Sequence, residues 1–152
     1  MDRDIANNRK AGHKFHILET LEAGISLRGT EVKSIRAGKI SIAEAYALVE
    51  KGEVFLYNCD IQPYAFGNRL NHEPKRRRKL LLHKSEIKHL FGKVSLKGHA
   101  LVPLKVYFKN GRIKVLLGVG QGKTAFDKRQ DIKQRDDQRQ TRRLLGRRDK
   151  GG

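Results

Sequence analysis

Two strand-like segments joined by an Asn-Gly pair constrain the fold of this chain most strongly. Residues 100–108 and 112–119 are rich in β-branched, aromatic and leucine side chains, and Asn110-Gly111 lies in the polar turn between them. Asn-Gly is the strongest short-range signal for a β-hairpin, because both residues tolerate positive φ. Residues 45–49 and 54–59 predict a second hairpin around another short polar turn. The chain is therefore expected to consist mainly of antiparallel strands.

Further strands and helices are predicted around these hairpins. Residues 13–27 fit a strand that is broken near Gly24, and extended segments follow at 61–66 and 79–83. Hydroxyl side chains are common N-caps. Two short helices are predicted on that basis, one capped by Thr30 and closed by Gly38, the other capped by Ser85 with apolar residues at Ile87, Leu90, Phe91 and Val94 and closed by Gly98.

The expected fold class is mainly β. Strand-rich domains of this size close up as barrels or sandwiches, and a helix between strands with a basic surface favours a small antiparallel β-barrel of the oligonucleotide/oligosaccharide-binding type. Two or three short helices and a disordered basic C-terminal tail complete the prediction. Residues 1–12 are expected to form a flexible basic N-terminal arm, residues 13–121 the barrel domain and residues 122–152 the tail.

The charge of the chain points to a nucleic-acid partner. Its 152 residues carry a net charge of +18, which is the electrostatic footprint of a nucleic-acid binder. No apolar run approaches the roughly 20 residues that span a bilayer, and Met1-Asp2-Arg3-Asp4 does not begin a secretory signal. Cys59 is the one cysteine, which fits a reducing cytosol. A cytoplasmic protein is expected, with no membrane or small-molecule partner, no cofactor and no metal.

A basic segment at residues 67–83 is the clearest candidate for RNA contact. Five consecutive cations at 75–79 lead directly into the apolar triplet 80–82, which anchors them to the core. Each cation can neutralise a phosphate and release its counterion. The neutral donors and acceptors that precede the run, and that suit base edges or riboses, are Asn68, Asn71 and His72. Glu31 has two interpretations, an acid in the first turn of a helix or an acceptor for a base edge.

Other chemistries fit the sequence less well. The run from Gly118 to Thr124 resembles a phosphate-binding loop, but position 117, where its first glycine would fall, is leucine. A flexible glycine hinge leading into the tail is the favoured interpretation of that run. A metal-free ribonuclease using His72 or His83 remains an alternative. So does a structural ribosomal protein, a basic globule with a basic tail bound to ribosomal RNA.

The tail is expected to order only against a partner. Residues 123–152 hold eleven cations and five acids, a net charge of +6, with few apolar side chains. Such a composition cannot bury enough surface to fold alone. Drawn as a helix, the segment places Lys128, Arg135, Arg139 and Arg142 on one stripe.

Six ordered motifs closely resemble those of the SsrA-binding protein family, also called small protein B, the bacterial partner of transfer-messenger RNA. The resemblance runs from about Asn8 into the tail. The motifs are Asn8-Arg9-Lys10-Ala11, Glu22-Ala23-Gly24-Ile25, Gly29-Thr30-Glu31-Val32-Lys33-Ser34, Gly67-Asn68-Arg69-Leu70-Asn71-His72-Glu73-Pro74, Arg78-Lys79-Leu80-Leu81-Leu82-His83 and Phe126-Asp127-Lys128-Arg129.

The resemblance implies an RNA-binding protein that is not an enzyme. Such a protein binds the tRNA-like domain of transfer-messenger RNA and carries it, as a monomer, to stalled 70S ribosomes for trans-translation. The tail would become helical there, in the decoding centre and empty mRNA channel. The RNA-binding residues expected are Glu31, Lys33, Asn68, Arg69, Asn71, His72, Lys75, Arg76, Arg77, Arg78 and Lys79. The tail residues expected to serve the ribosome are Gly122, Lys123, Phe126, Asp127, Lys128, Arg129, Lys133, Arg135, Arg139 and Arg142.

Two stretches depart from the family pattern. Ser41-Ile42-Ala43-Glu44 stands where the family usually has Asn-Leu-x-Asp. Thr124 replaces a lysine, and Phe126 replaces a Tyr or His before Asp-Lys-Arg. A phenylalanine ring can stack on a base but cannot hydrogen-bond to it.

Overall fold

The computed structural model describes residues 3–64, 71–96 and 98–123. These residues form nine strands and three helices, so the prediction of a mainly β chain is confirmed. In chain order the elements are β1 (Arg3–Asn7), α1 (Arg9–Lys14), β2 (Phe15–Ile25), α2 (Gly29–Arg36), β3 (Ile40–Ser41), β4 (Tyr46–Glu50), β5 (Glu53–Tyr57), β6 (Asp60–Ile61), β7 (Arg78–Leu81), α3 (Lys84–Val94), β8 (His99–Lys109) and β9 (Arg112–Gly122). Among the described residues, no helix combines the length and the apolar character that a membrane crossing requires.

Seven strands form one sheet in the order β1-β8-β4-β5-β7-β2-β9. A further antiparallel pairing of β8 with β9 closes six of them into a ring, as expected for a small barrel, and β1 pairs with β8 outside that ring. The short strands β3 and β6 form a separate pair. The core inside the ring is aliphatic, and its fully buried members include Val54, Leu56, Leu80, Leu101 and Val115.

Both predicted hairpins are confirmed. Asn110 and Gly111 have φ values of 52° and 75°, and they connect Lys109 to its partner Arg112. Lys51 and Gly52 take the same left-handed conformation between β4 and β5. A type I′ turn requires two consecutive positive φ values, so the two central residues of each turn determine its type.

The two longer helices begin at residues other than the predicted caps. α2 follows Arg28 and α3 follows His83, so Thr30 and Ser85 lie inside their helices. Each helix carries a glutamate that reaches back to the preceding backbone amide: Glu31 accepts from Arg28 N at 2.8 Å and Glu86 accepts from His83 N at 2.9 Å. Each bond satisfies the backbone amide of the residue that precedes the helix, as the glutamate of a capping box does.

Residues 3–12 form secondary structure, in contrast to the flexible arm expected. β1 pairs with β8, from Arg3 opposite Phe108 to Asn7 opposite Lys105. Asn8 then donates its side-chain amide to the carbonyls of Pro103 and Ile42, at 2.9 and 3.2 Å. The polar sequence did not predict strand β1, because hydrogen bonds to residues distant in sequence hold this segment in place.

Two glycines that suggested a hinge lie inside β9. A Cβ atom at Gly118 would stand 2.8 Å from Leu104 Cδ1, and one at Gly120 would stand 2.8 Å from Phe15 Cβ. β9 continues through Gly122, whose amide donates to the carbonyl of Gly98 at 2.9 Å. Gly118 and Gly120 therefore serve strand packing, and residues 118–122 form a strand, which fits neither a hinge nor a phosphate-binding loop. The predicted break at Gly24 is also absent from β2, which runs unbroken from Phe15 to Ile25.

Candidate nucleic-acid interface

The five consecutive cations fall on two opposite sides of the chain. Lys75, Arg77 and Lys79 are exposed, whereas Arg78 is fully buried and only 21% of the Arg76 side chain is exposed. The alternation leads into β7, because successive side chains of a strand point to opposite faces. Three of the five cations therefore form the surface that an RNA phosphate can reach.

The two inward cations meet Glu31 of α2. Glu31 Oε1 accepts from the Arg28 amide at 2.8 Å and from Arg76 Nη2 at 2.5 Å. Its other oxygen, Oε2, accepts from Arg76 Nε at 3.1 Å and from Arg78 Nε at 2.5 Å. The side chains of Glu31 and Arg78 are both 0% exposed. We call Glu31, Arg76 and Arg78 the buried ion-pair cluster.

Arg78 also ties the start of β7 to neighbouring backbone. Its Nη1 donates to the carbonyl of Cys59 at 2.6 Å and its Nη2 donates to the carbonyl of Pro74 at 3.0 Å. A guanidinium presents its donors in a rigid fork, so these bonds fix the direction of the chain on either side of Arg77. Burial raises the pKa of the nearby Cys59 thiol to about 12, which leaves it uncharged.

The charge of Glu31 is maintained by its partners. Burial by itself raises the pKa of this carboxyl, but hydrogen bonds from Arg76, the Arg28 amide and Arg78 lower it below its ordinary value of 4.5. A base-edge contact by Glu31 conflicts with this burial, and so does a direct phosphate contact by Arg78. The alternative interpretation of Glu31, an acid in the first turn of a helix, fits the geometry, with the ion pairs added to it.

Asn71 and His72, which precede the basic run in sequence, bond to residues of other segments. His72 is 4% exposed; its Nε2 donates to the carbonyl of Ile61 at 2.8 Å and its Nδ1 lies 2.9 Å from Thr30 Oγ1. Asn71 exchanges two hydrogen bonds with the backbone of Tyr64, at 2.6 and 2.9 Å. Both nitrogens of His72 are engaged inside the protein, which does not fit a base edge contact or the acid–base role of a ribonuclease.

The exposed cations lie beside aromatic rings and acids. The guanidinium of Arg77 stands 4.0 Å from the centre of the Phe55 ring and 3.3 Å from Glu50 Oε2. Lys79 donates to Glu53 at 2.8 Å. Such exposed pairs are weak, so a phosphate can compete for these cations. Lys33, also exposed, lies over the ring of Tyr64 at 5.2 Å.

The structure also contains a cleft beside Leu81 that the sequence did not predict. It measures about 360 Å³ and is lined by Glu22, Leu81, His83, Glu86 and Lys114, among others. The side chain of Leu81 is 51% exposed. The triplet 80–82 was predicted as an anchor, but strand alternation places Leu80 inside and Leu81 outside. That alternation was the available signal for an apolar side chain at the surface beside the cations.

The remaining predicted site residues are described only in part. Gly122 and Lys123 end the described segment, and Asn68 and Arg69 lie outside the described residues. So do the tail residues Phe126, Asp127, Lys128, Arg129, Lys133, Arg135, Arg139 and Arg142. Within the described ranges, no three His, Cys, Asp or Glu side chains come together in a way that could hold a metal ion.

The chain as a whole is similar to proteins of one family. Residues 5–147 match the family model described as "SmpB protein". A protein of Geobacillus sp. (strain WCH70) named "SsrA-binding protein" is 58% identical over 96% of this chain and 94% of its own length. A protein of Geobacter sulfurreducens with the same name is 55% identical over 93% and 92%.

A solved structure of the same family has a similar fold. It is described as "tmRNA-SmpB: a journey to the center of the bacterial ribosome", and its matching chain is 52% identical. The similarity covers 83% of this chain and 92% of that one, with a TM-score of 0.68. The ring of strands, the basic surface and these similarities agree, and the chain belongs to the SmpB protein family.

Proposed function

We propose that this protein binds the tRNA-like domain of transfer-messenger RNA and delivers that RNA to stalled ribosomes for trans-translation. The observation that carries the proposal is the row of exposed cations, Lys75, Arg77 and Lys79, held in place by the buried ion-pair cluster. Relatives named for SsrA binding, and a structure that pairs the family with transfer-messenger RNA and the ribosome, support the choice of RNA.

The surface binds by charge and shape. The exposed cations neutralise phosphates, which supplies affinity without reading sequence. The ring of Phe55 holds Arg77 in a fixed position, and the cleft beside Leu81 offers apolar contact and hydrogen-bonding groups next to the same strand. Structured RNA is recognised largely by shape and backbone contacts, which suits a rigid surface of this kind. The protein acts as an RNA carrier and does not catalyse a reaction.

The tail serves the ribosome in this proposal. Gly122 and Lys123 lead into Phe126, Asp127, Lys128 and Arg129, and the stripe of cations follows. A chain segment with this charge gains many phosphate contacts in a channel walled by RNA, and these offset the cost of ordering it. We expect the ring of strands to capture the RNA, while the tail acts at the decoding centre.

Identification of co-purifying RNA tests the proposal. The full chain, purified from bacterial cells at moderate salt, should enrich one small RNA, the transfer-messenger RNA, and should leave ribosomes at high salt. Replacing Arg77 and Lys79 by glutamine should reduce that enrichment. The matched control replaces Lys88 and Lys93, two exposed cations of α3, and should not. A protein that stays with ribosomes at high salt, with no small RNA enriched, would instead be a structural ribosomal protein.

A further inference from the structure

A small cleft, separate from the exposed cations of the basic run, lies where α1 meets the start of β4. It measures about 140 Å³. Its apolar lining includes the buried residues Ala11, Ala45 and Val102, and the aromatic residues Phe15 and Tyr46 also line it. Pockets for drug-sized ligands measure roughly 300–1,000 Å³. The cleft is therefore suited to one planar group that projects from a larger molecule.

The cleft is built from fixed elements. Asn8 bonds the carbonyls of Pro103 and Ile42 and also accepts from the Ala11 amide at 3.2 Å, so α1 is tied to β8 and to the turn before β4. Phe15 packs directly on Gly120, where even a Cβ atom would come within 2.8 Å of it. A rigid cleft loses little conformational entropy when it is filled.

Tyr46 offers an oriented aromatic ring at this site. It stacks on Tyr57 of the neighbouring strand with 5.5 Å between ring centres and an angle of 10° between the planes. Its residue surface is still 38% exposed. The hydroxyl of Tyr57 donates to Glu50, which also accepts from Arg77, so the stack is tied to the basic run. A further flat ring placed on Tyr46 would extend a stack that is already formed.

The rim of the cleft is basic. Lys10 and Lys14 line it with one acid, Glu44, and Lys10 donates to Glu44 at 3.0 Å in an exposed ion pair. The hydrogen bond and charge of Lys10, followed by the charge of Lys14, lower the pKa of Glu44, and Lys75 of the basic run adds to the same effect. Two cations beside one acid at the rim favour a phosphate-bearing chain over an apolar peptide.

We propose that this cleft binds a single unpaired nucleotide of the RNA held by the basic run. The base stacks on the ring of Tyr46, and Lys10 and Lys14 of the rim meet the adjoining phosphates. Glu44 accepts a hydrogen bond from a base edge or a ribose hydroxyl. Aromatic side chains interleaved with cations are the means by which proteins hold unpaired nucleotides. The inference rests on the proposed function, because it takes the same RNA as its ligand.

The test uses the full chain and a short single-stranded RNA that carries 2-aminopurine, whose fluorescence falls on stacking. Tyr46→Leu should weaken binding of this probe by about 5- to 150-fold, the range that one base–aromatic stack contributes, and should remove the quenching. Tyr46→Phe should retain both. The matched control is Leu48→Ala, since Leu48 is 45% exposed on the same strand, and it should bind as the unaltered protein does. Equal affinity and quenching in Tyr46→Leu would overturn the proposal.

A second variant tests the phosphate contact independently of the ring. Lys14→Gln should make the dependence of log affinity on log salt shallower by about 0.7, the value for one phosphate of a single strand; an unchanged slope would count against the site. Binding of the tRNA-like RNA is measured in parallel. If the unaltered protein binds that RNA while all cleft variants bind the probe normally, the nucleotide site is wrong and the proposed function stands. If the unaltered protein does not bind it, the proposed function itself is wrong.

Discussion

Replacing Glu31 by glutamine should strongly lower the free energy of unfolding, because Glu31 is buried and does not form part of the protein surface. The substitution keeps the size of the side chain but removes its charge, and Arg78 beside it is 0% exposed. Removing one partner of a buried ion pair typically costs about 3–5 kcal/mol, because the other charge stays buried without compensation. Two arginines share Glu31, so a value in the upper half of that range is expected.

The geometry leaves glutamine no satisfactory orientation. Each carboxylate oxygen of Glu31 accepts two hydrogen bonds, one oxygen from Arg28 N and Arg76 Nη2, the other from Arg76 Nε and Arg78 Nε. An amide has one oxygen, and its nitrogen is a donor. Whichever way the glutamine turns, its NH₂ group faces two other donors.

Urea unfolding followed by circular dichroism measures the effect. With a denaturant slope near 2 kcal/mol per molar, the midpoint should fall by about 2 M, and the melting temperature should fall by roughly 10–20 °C. The matched control is Glu53→Gln, which removes the acid of an exposed pair with Lys79 that is 45% exposed on both sides. It should cost less than about 1 kcal/mol.

The pH dependence provides a second measurement on the same variant. The pKa of Glu31 in the folded protein lies below its ordinary value of 4.5. Its contribution to stability is therefore present above that value and is lost as the pH falls through the lower, folded pKa. The difference in stability between the unaltered protein and Glu31→Gln should shrink as the pH falls below 4.5. If Glu31→Gln unfolds like the unaltered protein but loses RNA affinity, Glu31 contacts RNA and the reasoning is wrong.

Three further predictions follow from the fold and the basic run. Gly120→Ala should cost about 1–3 kcal/mol of stability by overpacking, whereas Gly118→Ala should cost less, because its neighbour is the flexible end of a leucine side chain; thermal melts of the pair decide this, and equal losses would contradict it. Replacing Arg77 and Lys79 by glutamine should make the salt dependence of RNA binding shallower by up to about 2; titrations at several salt concentrations measure it, and an unchanged slope removes both residues from the interface. Truncation after Lys123 should leave RNA affinity within about 1 kcal/mol but abolish peptide tagging in a reconstituted translation assay; normal tagging would refute the proposed role of the tail.

Local sequence signals predicted the hairpins, because a type I′ turn is specified by the two residues that form it. Asn110-Gly111 takes the expected left-handed conformation, and Lys51-Gly52, in the second predicted hairpin, takes it as well. The ordered motifs likewise identified the family. By contrast, the strand at residues 3–7 could not be predicted from its polar composition. Its partner β8 lies about a hundred residues away, and the pairing uses backbone groups that every residue carries.

The position of the candidate site stays a prediction, and the structure changes the chemistry expected of two of its cations. A run of five cations reads in sequence as five possible phosphate contacts. In the structure, strand alternation turns Arg76 and Arg78 inward, and only a buried acid 45 and 47 residues away makes their burial tolerable. The alternation of the strand does not by itself predict this arrangement, because a buried arginine requires an acidic partner. That partner, Glu31, lies in another element, α2.

The division of the run into inward and outward cations lowers the conformational entropy that RNA binding has to remove. If all five side chains were flexible and exposed, each phosphate contact would require ordering a long side chain, at up to about 2 kcal/mol of lost rotamer freedom. The buried ion-pair cluster fixes the backbone on both sides of Arg77, and the Phe55 ring holds its guanidinium. The cost of ordering this part of the surface is therefore met when the protein folds, before RNA arrives. The two inward arginines, of which Arg78 is fully buried and Arg76 largely so, would in this way strengthen binding by the exposed cations beside them.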